Sequence, residues 1–140
     1  MKKGFSLLEA VLMLAVAAIL LYAGSNALLN LAPKYRLNRA TWEIQTRLNY
    51  ARYKAIFEGR DVRVSFKPGG YTIEKYDEMQ KGWKMDASGS FEGVTVEANN
   101  RPTFHPLGTV SNLATITVLN SWGGFRITLA ISGRIRVAKI

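Results

Sequence analysis

Cysteine is absent from this 140-residue chain. That excludes disulfides, thiol catalysis and cysteine-based metal sites. Histidine occurs once, as His105 between Phe104 and Pro106, and one His without Cys cannot form the usual zinc site. No glycine-rich phosphate loop is present. A Ser-His-acid triad needs a serine beside the histidine. Nothing in the order of residues places one there, so His105 reads as a loop residue. Neither a catalytic residue nor a cofactor is expected. Asp77, Glu78 and Asp86 are the nearest approach to a calcium site. Their spacing matches no calcium loop, and they read as solvated charge.

Acid is also scarce. Ten Asp and Glu face nineteen Lys and Arg, for a net charge of +9. The imbalance is uneven. Residues 61 to 97 are net −2, residues 34 to 60 are net +5, and from residue 98 onward there are five basic residues and no acid. Such asymmetry suits an anionic partner, such as nucleic acid, lipid headgroups or an acidic protein face, or a basic soluble surface with none.

Charge of either sign is missing altogether from Ala10 through Ala32. A helix crossing the hydrocarbon core needs roughly 20 largely apolar residues, and residues 5 to 26 meet that. Lys2 and Lys3 put the N-terminus on the cytoplasmic side. One carboxylate, Glu9, sits inside the apolar stretch, where an ionisable group is expensive and by default functional. A secretory signal would carry a basic start, an apolar run and a small-residue exit, here Ser25-Asn26-Ala27. Glu9 argues against that design, and an ordinary anchor leaves the acid unexplained.

Gly4-Phe5-Ser6-Leu7-Leu8-Glu9 resembles the class III leader of type IV prepilins. The resemblance implies cleavage by a membrane prepilin peptidase after Gly4, leaving residues 1 to 4 as the leader, and N-methylation of the new terminal Phe5. It also implies a role for Glu9 in assembly. Cleavage would remove Lys2 and Lys3 and create a cationic amine on Phe5. A lone buried carboxylate tends to neutralise itself by protonation. An amine on a neighbouring subunit offers a charge partner instead, and so fixes one axial stagger between helices. Many major pilins carry a proline late in the apolar segment. Here that region reads Gly24-Ser25-Asn26, and the first proline is Pro33.

Beyond Pro33, which marks either a bend or the start of a second helix, Leu37, Ala40, Ile44, Leu48, Ala51 and Ala55 recur at three- and four-residue steps. They form one apolar stripe of an amphipathic helix over about 34 to 58. Gly59 is a natural stop. Then the period changes to two. Val62 to Phe66 and Tyr71 to Tyr76 flank Lys67-Pro68-Gly69-Gly70 as a hairpin. Residues 77 to 90 read as a polar loop, and Phe91 to Glu97 as a strand. Thr115 to Leu119 and Phe125 to Ile131 flank a turn at Asn120 to Gly124. Ser132-Gly133 leads into a last strand, Arg134 to Val137. Ten of the twelve glycines follow residue 58, as turns between short strands require. The expected fold class is α+β: a pilin fold, with one long N-terminal helix (5–58) whose first half is transmembrane, followed by an antiparallel β-sheet head (59–140).

Four further stretches resemble the GspH/FimT branch of the pilins. They are Leu48-Asn49-Tyr50-Ala51-Arg52-Tyr53-Lys54-Ala55, Val62-Arg63-Val64, Phe104-His105-Pro106-Leu107-Gly108 and Gly133-Arg134-Ile135-Arg136-Val137. The resemblance implies a minor pseudopilin of a type II secretion system that drives protein secretion, not an enzyme. The alternative is a minor type IV pilin that promotes pilus assembly or binds DNA for natural transformation. Its implied partners are the prepilin peptidase, other major and minor pilins or pseudopilins, and inner-membrane lipid. Its implied place is the bacterial inner membrane as a single-pass protein, with the head periplasmic. In the FimT subgroup a Gly-Arg-x-Arg tail is linked to DNA, which would map onto Arg134 and Arg136, with Lys139 and Arg126 as helpers. In a strand those two arginines share a face and repeat at roughly 6–7 Å, and Arg suits phosphate. The same residues would also serve as charge that keeps an edge strand soluble. Lys34, Arg36 and Arg39 would meet headgroups or, preferably, neighbouring subunits.

Overall fold

The computed structural model describes residues 6 to 140 and leaves aside the side chain of Ala27. Gly4 and Phe5, the expected cleavage and methylation positions, lie outside the described residues. One helix, α1 (Leu7–Glu58), is followed by nine strands. The chain divides into two compact units, Met1–Ala32 and Pro33–Ile140. The amphipathic half of α1 therefore belongs to the same unit as the strands.

In the first unit the helix is unbroken, and its apolar side chains are exposed along its length. It is long and apolar enough to cross a membrane. Gly24-Ser25-Asn26 does not interrupt it. Ser25 Oγ donates to the Tyr22 carbonyl at 2.9 Å and Asn26 Nδ2 donates to the same oxygen at 3.3 Å, which keeps these polar groups satisfied within the helix.

In the second unit all six stripe residues of α1 are buried, and Thr41 joins them by donating its hydroxyl to the Leu37 carbonyl at 2.8 Å. The helix ends where a left-handed residue is needed. Gly59 has φ +63°, and the Arg60 amide reaches back to the Ala55 carbonyl, as in a Schellman cap.

The strands form two antiparallel sheets. The first has the order β3 (Gly82–Ser90), β2 (Gly70–Asp77), β1 (Val62–Lys67), β5 (Thr103–Phe104), β6 (Val110–Ser111). The second has the order β4 (Thr95–Ala98), β7 (Thr115–Asn120), β8 (Gly123–Leu129), β9 (Ile135–Lys139). Both contribute to a core with the α1 stripe: Val62, Val64, Ile73 and Phe104 from the first, and Val96, Ile116, Val118 and Ile127 from the second.

Several elements differ from the sequence expectation. Residues 82 to 90 are a strand rather than part of a polar loop. β3 is an edge strand with little buried surface, held by its ladder to β2 and broken by a bulge opposite Ile73/Glu74. The bulge disrupts the alternation that a period-two reading needs. The expected strand from Phe91 begins only at Thr95, because Glu92-Gly93 bends the chain. Phe91 itself is buried beside Tyr71, with ring centroids 5.5 Å apart. The two-residue strands β5 and β6 carry too few residues to show a period. β8 starts at Gly123 and β9 at Ile135, each displaced slightly from expectation.

Candidate functional site

Glu9 lies in the first turns of α1, exposed beside Leu12, Met13 and Val16 on one side of the helix. No other charge follows until Lys34. Among the described residues of the first unit, Glu9 is the one charged side chain and has no opposite charge to pair with. Protonation, water or another molecule can complete its chemistry.

The C-terminal arginines lie at and beside β9. The register pairs Thr128 with Arg136 and Arg126 with Ala138, while Ile135 and Val137 turn inward to the core. Arg126 and Arg136 therefore share the outer face of the second sheet. Arg134 precedes the strand and accepts a hydrogen bond from the Ala130 amide through its carbonyl, so its exposed side chain borders a shallow depression with Arg136 and Thr128. Lys139 does not join them. Alternation along β9 turns it to the opposite face, where its Nζ sits 4.5 Å from the Trp122 ring centre, with Lys34 Nζ at 5.4 Å from the same ring. The expected set of four is thus three plus one. The outer face also carries Glu97, which lies with Arg126 around another depression.

The basic run after Pro33 is dispersed by the helix. Lys34 goes to Trp122, while Arg36 and Arg39 line a cleft of about 410 Å³ with Glu43, Ser90, Phe91 and Glu92. Asn120 Nδ2 donates to the Pro33 carbonyl at 2.6 Å, tying the β7–β8 turn to this end of the second unit.

Asp77 and Asp86, both within the expected polar loop, have separate duties. Asp77 Oδ1 accepts the Met79 and Gln80 amides and closes the β2–β3 turn. Asp86 is the bulge residue of β3, without a partner across the ladder, and the bulge turns it toward α1. Its Oδ1 accepts from Lys54 Nζ at 2.6 Å, and Lys75 Nζ is 4.0 Å away. Lys54 also donates to Tyr50 Oη at 3.1 Å and lies 3.5 Å from Glu58. Burial alone would lower the Lys54 pKa, but the bonds to Asp86 and Tyr50 outweigh it and hold the ammonium well above the ordinary lysine value. Tyr71 is raised by burial, opposed by the Arg47 charge and reinforced by Glu43. Among the described residues no group of three or more His, Asp or Glu is placed to hold a metal ion.

His105 lies in the β5–β6 loop, as expected, but a serine does come beside it. Its Nδ1 lies 2.8 Å from Asp61 Oδ1 and its Nε2 lies 2.8 Å from Ser111 Oγ. The loop from β5 to β6 brings in a serine six residues away, a pairing that required the strand pair Thr103–Phe104 with Val110–Ser111 to be known. The acid-histidine-serine order is that of a hydrolase triad, and the groups are partly exposed on a short edge hairpin. The arrangement ties the start of β1 to the β5–β6 loop.

A family model described as "Type II transport protein GspH" matches residues 40–138. Two solved structures share the fold. The minor pseudopilin EpsH from the Type 2 Secretion System of Vibrio cholerae has a TM-score of 0.65 at 16% identity, over 74% of this chain and 97% of that one. The type IV minor pilin FimU of Pseudomonas aeruginosa has a TM-score of 0.62 at 20% identity, over 75% of this chain and 90% of that one. No curated protein matches the sequence.

Proposed function

This chain belongs to the GspH family of type II transport proteins. On that premise we propose that it is a minor pseudopilin of a type II secretion system. It waits in the inner membrane as a single-pass protein and then assembles through its N-terminal helix into a periplasmic pseudopilus that drives secretion. The observation that carries the reading is Glu9, one exposed carboxylate at the start of an apolar helical stretch, uncharged from Ala10 through Ala32, on a helix long enough to span a membrane. In lipid that acid is costly. In a filament it is matched by the Phe5 amine of a neighbour, created when the peptidase cleaves after Gly4. Neighbouring pilins or pseudopilins, the prepilin peptidase and membrane lipid are the partners this sequence of events needs. None of its steps needs an enzyme activity or a cofactor of its own. The test is the mass of the mature chain. It should begin at N-methylated Phe5, and replacing Gly4 by a bulky residue should block that product. Deletion of the gene should impair protein secretion and leave piliation and transformation intact.

A second reading is favoured by a separate observation, the three arginines 126, 134 and 136 exposed on and beside one sheet face. In it the chain is a minor type IV pilin whose head meets DNA phosphates. Binding to duplex DNA would then fall with salt at a slope of about −0.9 per phosphate neutralised. Arg134→Ala with Arg136→Ala would remove most of the affinity, while Lys139→Ala, on the other face, would change it little. Absence of binding at low salt sinks this reading.

A further inference from the structure

Arg52 is the one helix side chain around which two turns of the head are shaped. A Cβ added to Gly133 would lie 2.7 Å from Arg52 Nε and 2.9 Å from its Cζ. One added to Gly108 would lie 3.6 Å from Nε and Nη2 and 3.3 Å from Ile56 Cδ1. Both glycines have φ of +78°, so neither turn admits a side chain easily, and the guanidinium occupies the space. The two turns are joined by the Val110 amide, which donates to the Ile131 carbonyl at 2.8 Å.

Close packing has not satisfied the arginine. Its Nε is buried without a hydrogen-bond partner, and among the described residues it forms no ion pair, unlike Arg47, Lys54, Arg63 and Lys75. The two turns packed on it cannot supply an acid, since residues 98 to 140 contain none. Beside these two turns stand large apolar side chains in water: Leu107 is 90% exposed and Ile131 64%. An unpaired cation in a partly dry setting within an apolar rim favours a carboxylate that arrives with apolar neighbours. With Nε buried, the two terminal Nη groups of the planar fork are the donors that can meet such a group, through two parallel hydrogen bonds, and excluding water strengthens both.

We propose that this end of the head, centred on Arg52 and rimmed by Leu107 and Ile131, docks a different subunit of the same filament, which presents a carboxylate flanked by apolar side chains. The proposal rests on the filament reading above. A second copy of this chain is a poor donor, because most carboxylates of its own head are engaged: Asp61 with His105, Glu74 with Arg63, Asp86 with Lys54, Asp77 with turn amides. In the sequence Arg52 stands within the Leu48–Ala55 stretch one step from the apolar stripe, where it looks like any solvated helix cation.

The chain lacks cysteine, so Ile131→Cys gives a single attachment point for a benzophenone maleimide. The labelled full-length chain is reconstituted in membranes with the other subunits of its filament and irradiated. The expected product is one adduct to a non-identical pilin-class subunit, mapped to a peptide containing Asp or Glu. Arg52→Gln should lower its yield at least tenfold and Arg52→Lys, which keeps the charge but not the fork, should recover only part of it. Leu107→Glu, at a position too exposed to threaten folding, should lower it comparably by repelling the incoming acid. An adduct unchanged by Arg52→Gln and Leu107→Glu overturns the proposal, as does an adduct formed only between copies of this chain or on an acid-free peptide. Incorporation of the unlabelled chain, scored in the same membranes, separates the two levels. If it is incorporated without any such adduct, only this surface fails. If it is not incorporated, the filament reading fails and this surface with it.

Discussion

The contact between Lys54 and Asp86 lends itself to a worked prediction, because a bulge exists to make it. The two groups are 2.6 Å apart, with side chains 15% and 12% exposed. A hydrogen bond between charged groups contributes about 1.5–3 kcal/mol net. Removing one partner of a fully buried pair costs roughly 3–5 kcal/mol, but here neighbours remain. Without Lys54, Asp86 keeps Lys75 at 4.0 Å, and without Asp86, Lys54 keeps Glu58 at 3.5 Å. Lys54→Met should therefore cost about 2 kcal/mol and Asp86→Asn about 1–2 kcal/mol. The coupling between them should be about 1–2 kcal/mol in a double-mutant cycle, read by urea unfolding at pH 7. The sign with pH follows from the raised lysine. Its contribution is fully present below the unfolded-state pKa of about 10.4 and is lost only as pH rises through the higher folded value. The difference between wild type and Lys54→Met should accordingly hold from pH 7 to about 10 and shrink above that. A coupling below about 0.3 kcal/mol, or a difference that vanishes between pH 7 and 9, would refute the argument that the bulge anchors the helix end to β3.

Three further outcomes follow from the core, the cap and the polar tie. Leu48→Ala, at a fully buried position of the stripe, should destabilise the protein by about 2–5 kcal/mol, measured by urea unfolding. Gly59→Ala, at a left-handed residue, should cost about 1 kcal/mol in the same assay, despite adding a better helix former. His105→Ala should cost about 1–2 kcal/mol by loosening β1 from the β5–β6 loop, and neither it nor Ser111→Ala should change hydrolysis of a p-nitrophenyl ester above the buffer rate.

The long helix was legible because its two halves carry different patterns: no charge from Ala10 to Ala32, then apolar residues at Leu37, Ala40, Ile44, Leu48, Ala51 and Ala55, all of which the structure buries. The hairpins around Pro68-Gly69 and Ser121-Trp122 were legible from alternation and turn residues. β3 was not, because an edge strand is held by backbone pairing rather than by burial, and its bulge at Asp86 breaks the period. The Asp61-His105-Ser111 contact and the Arg52 cup both depend on which short strands become neighbours. Two-residue strands such as β5 and β6 leave no periodic trace. Lys139 shows the opposite limit. It lies close in sequence to Arg134 and Arg136 and shares their charge, yet strand alternation places it three steps from Arg136 and on the other face.

Glu9 is proposed to be an assembly residue rather than a flaw in an anchor. The most direct measurement replaces Glu9 by Ala in the full-length chain and scores two quantities together: the mass of the processed N-terminus and the amount of chain in sheared, purified filaments. The account predicts a normal mature mass beginning at Phe5 and loss of most of the chain from the filament fraction. Normal processing with undiminished incorporation would contradict it.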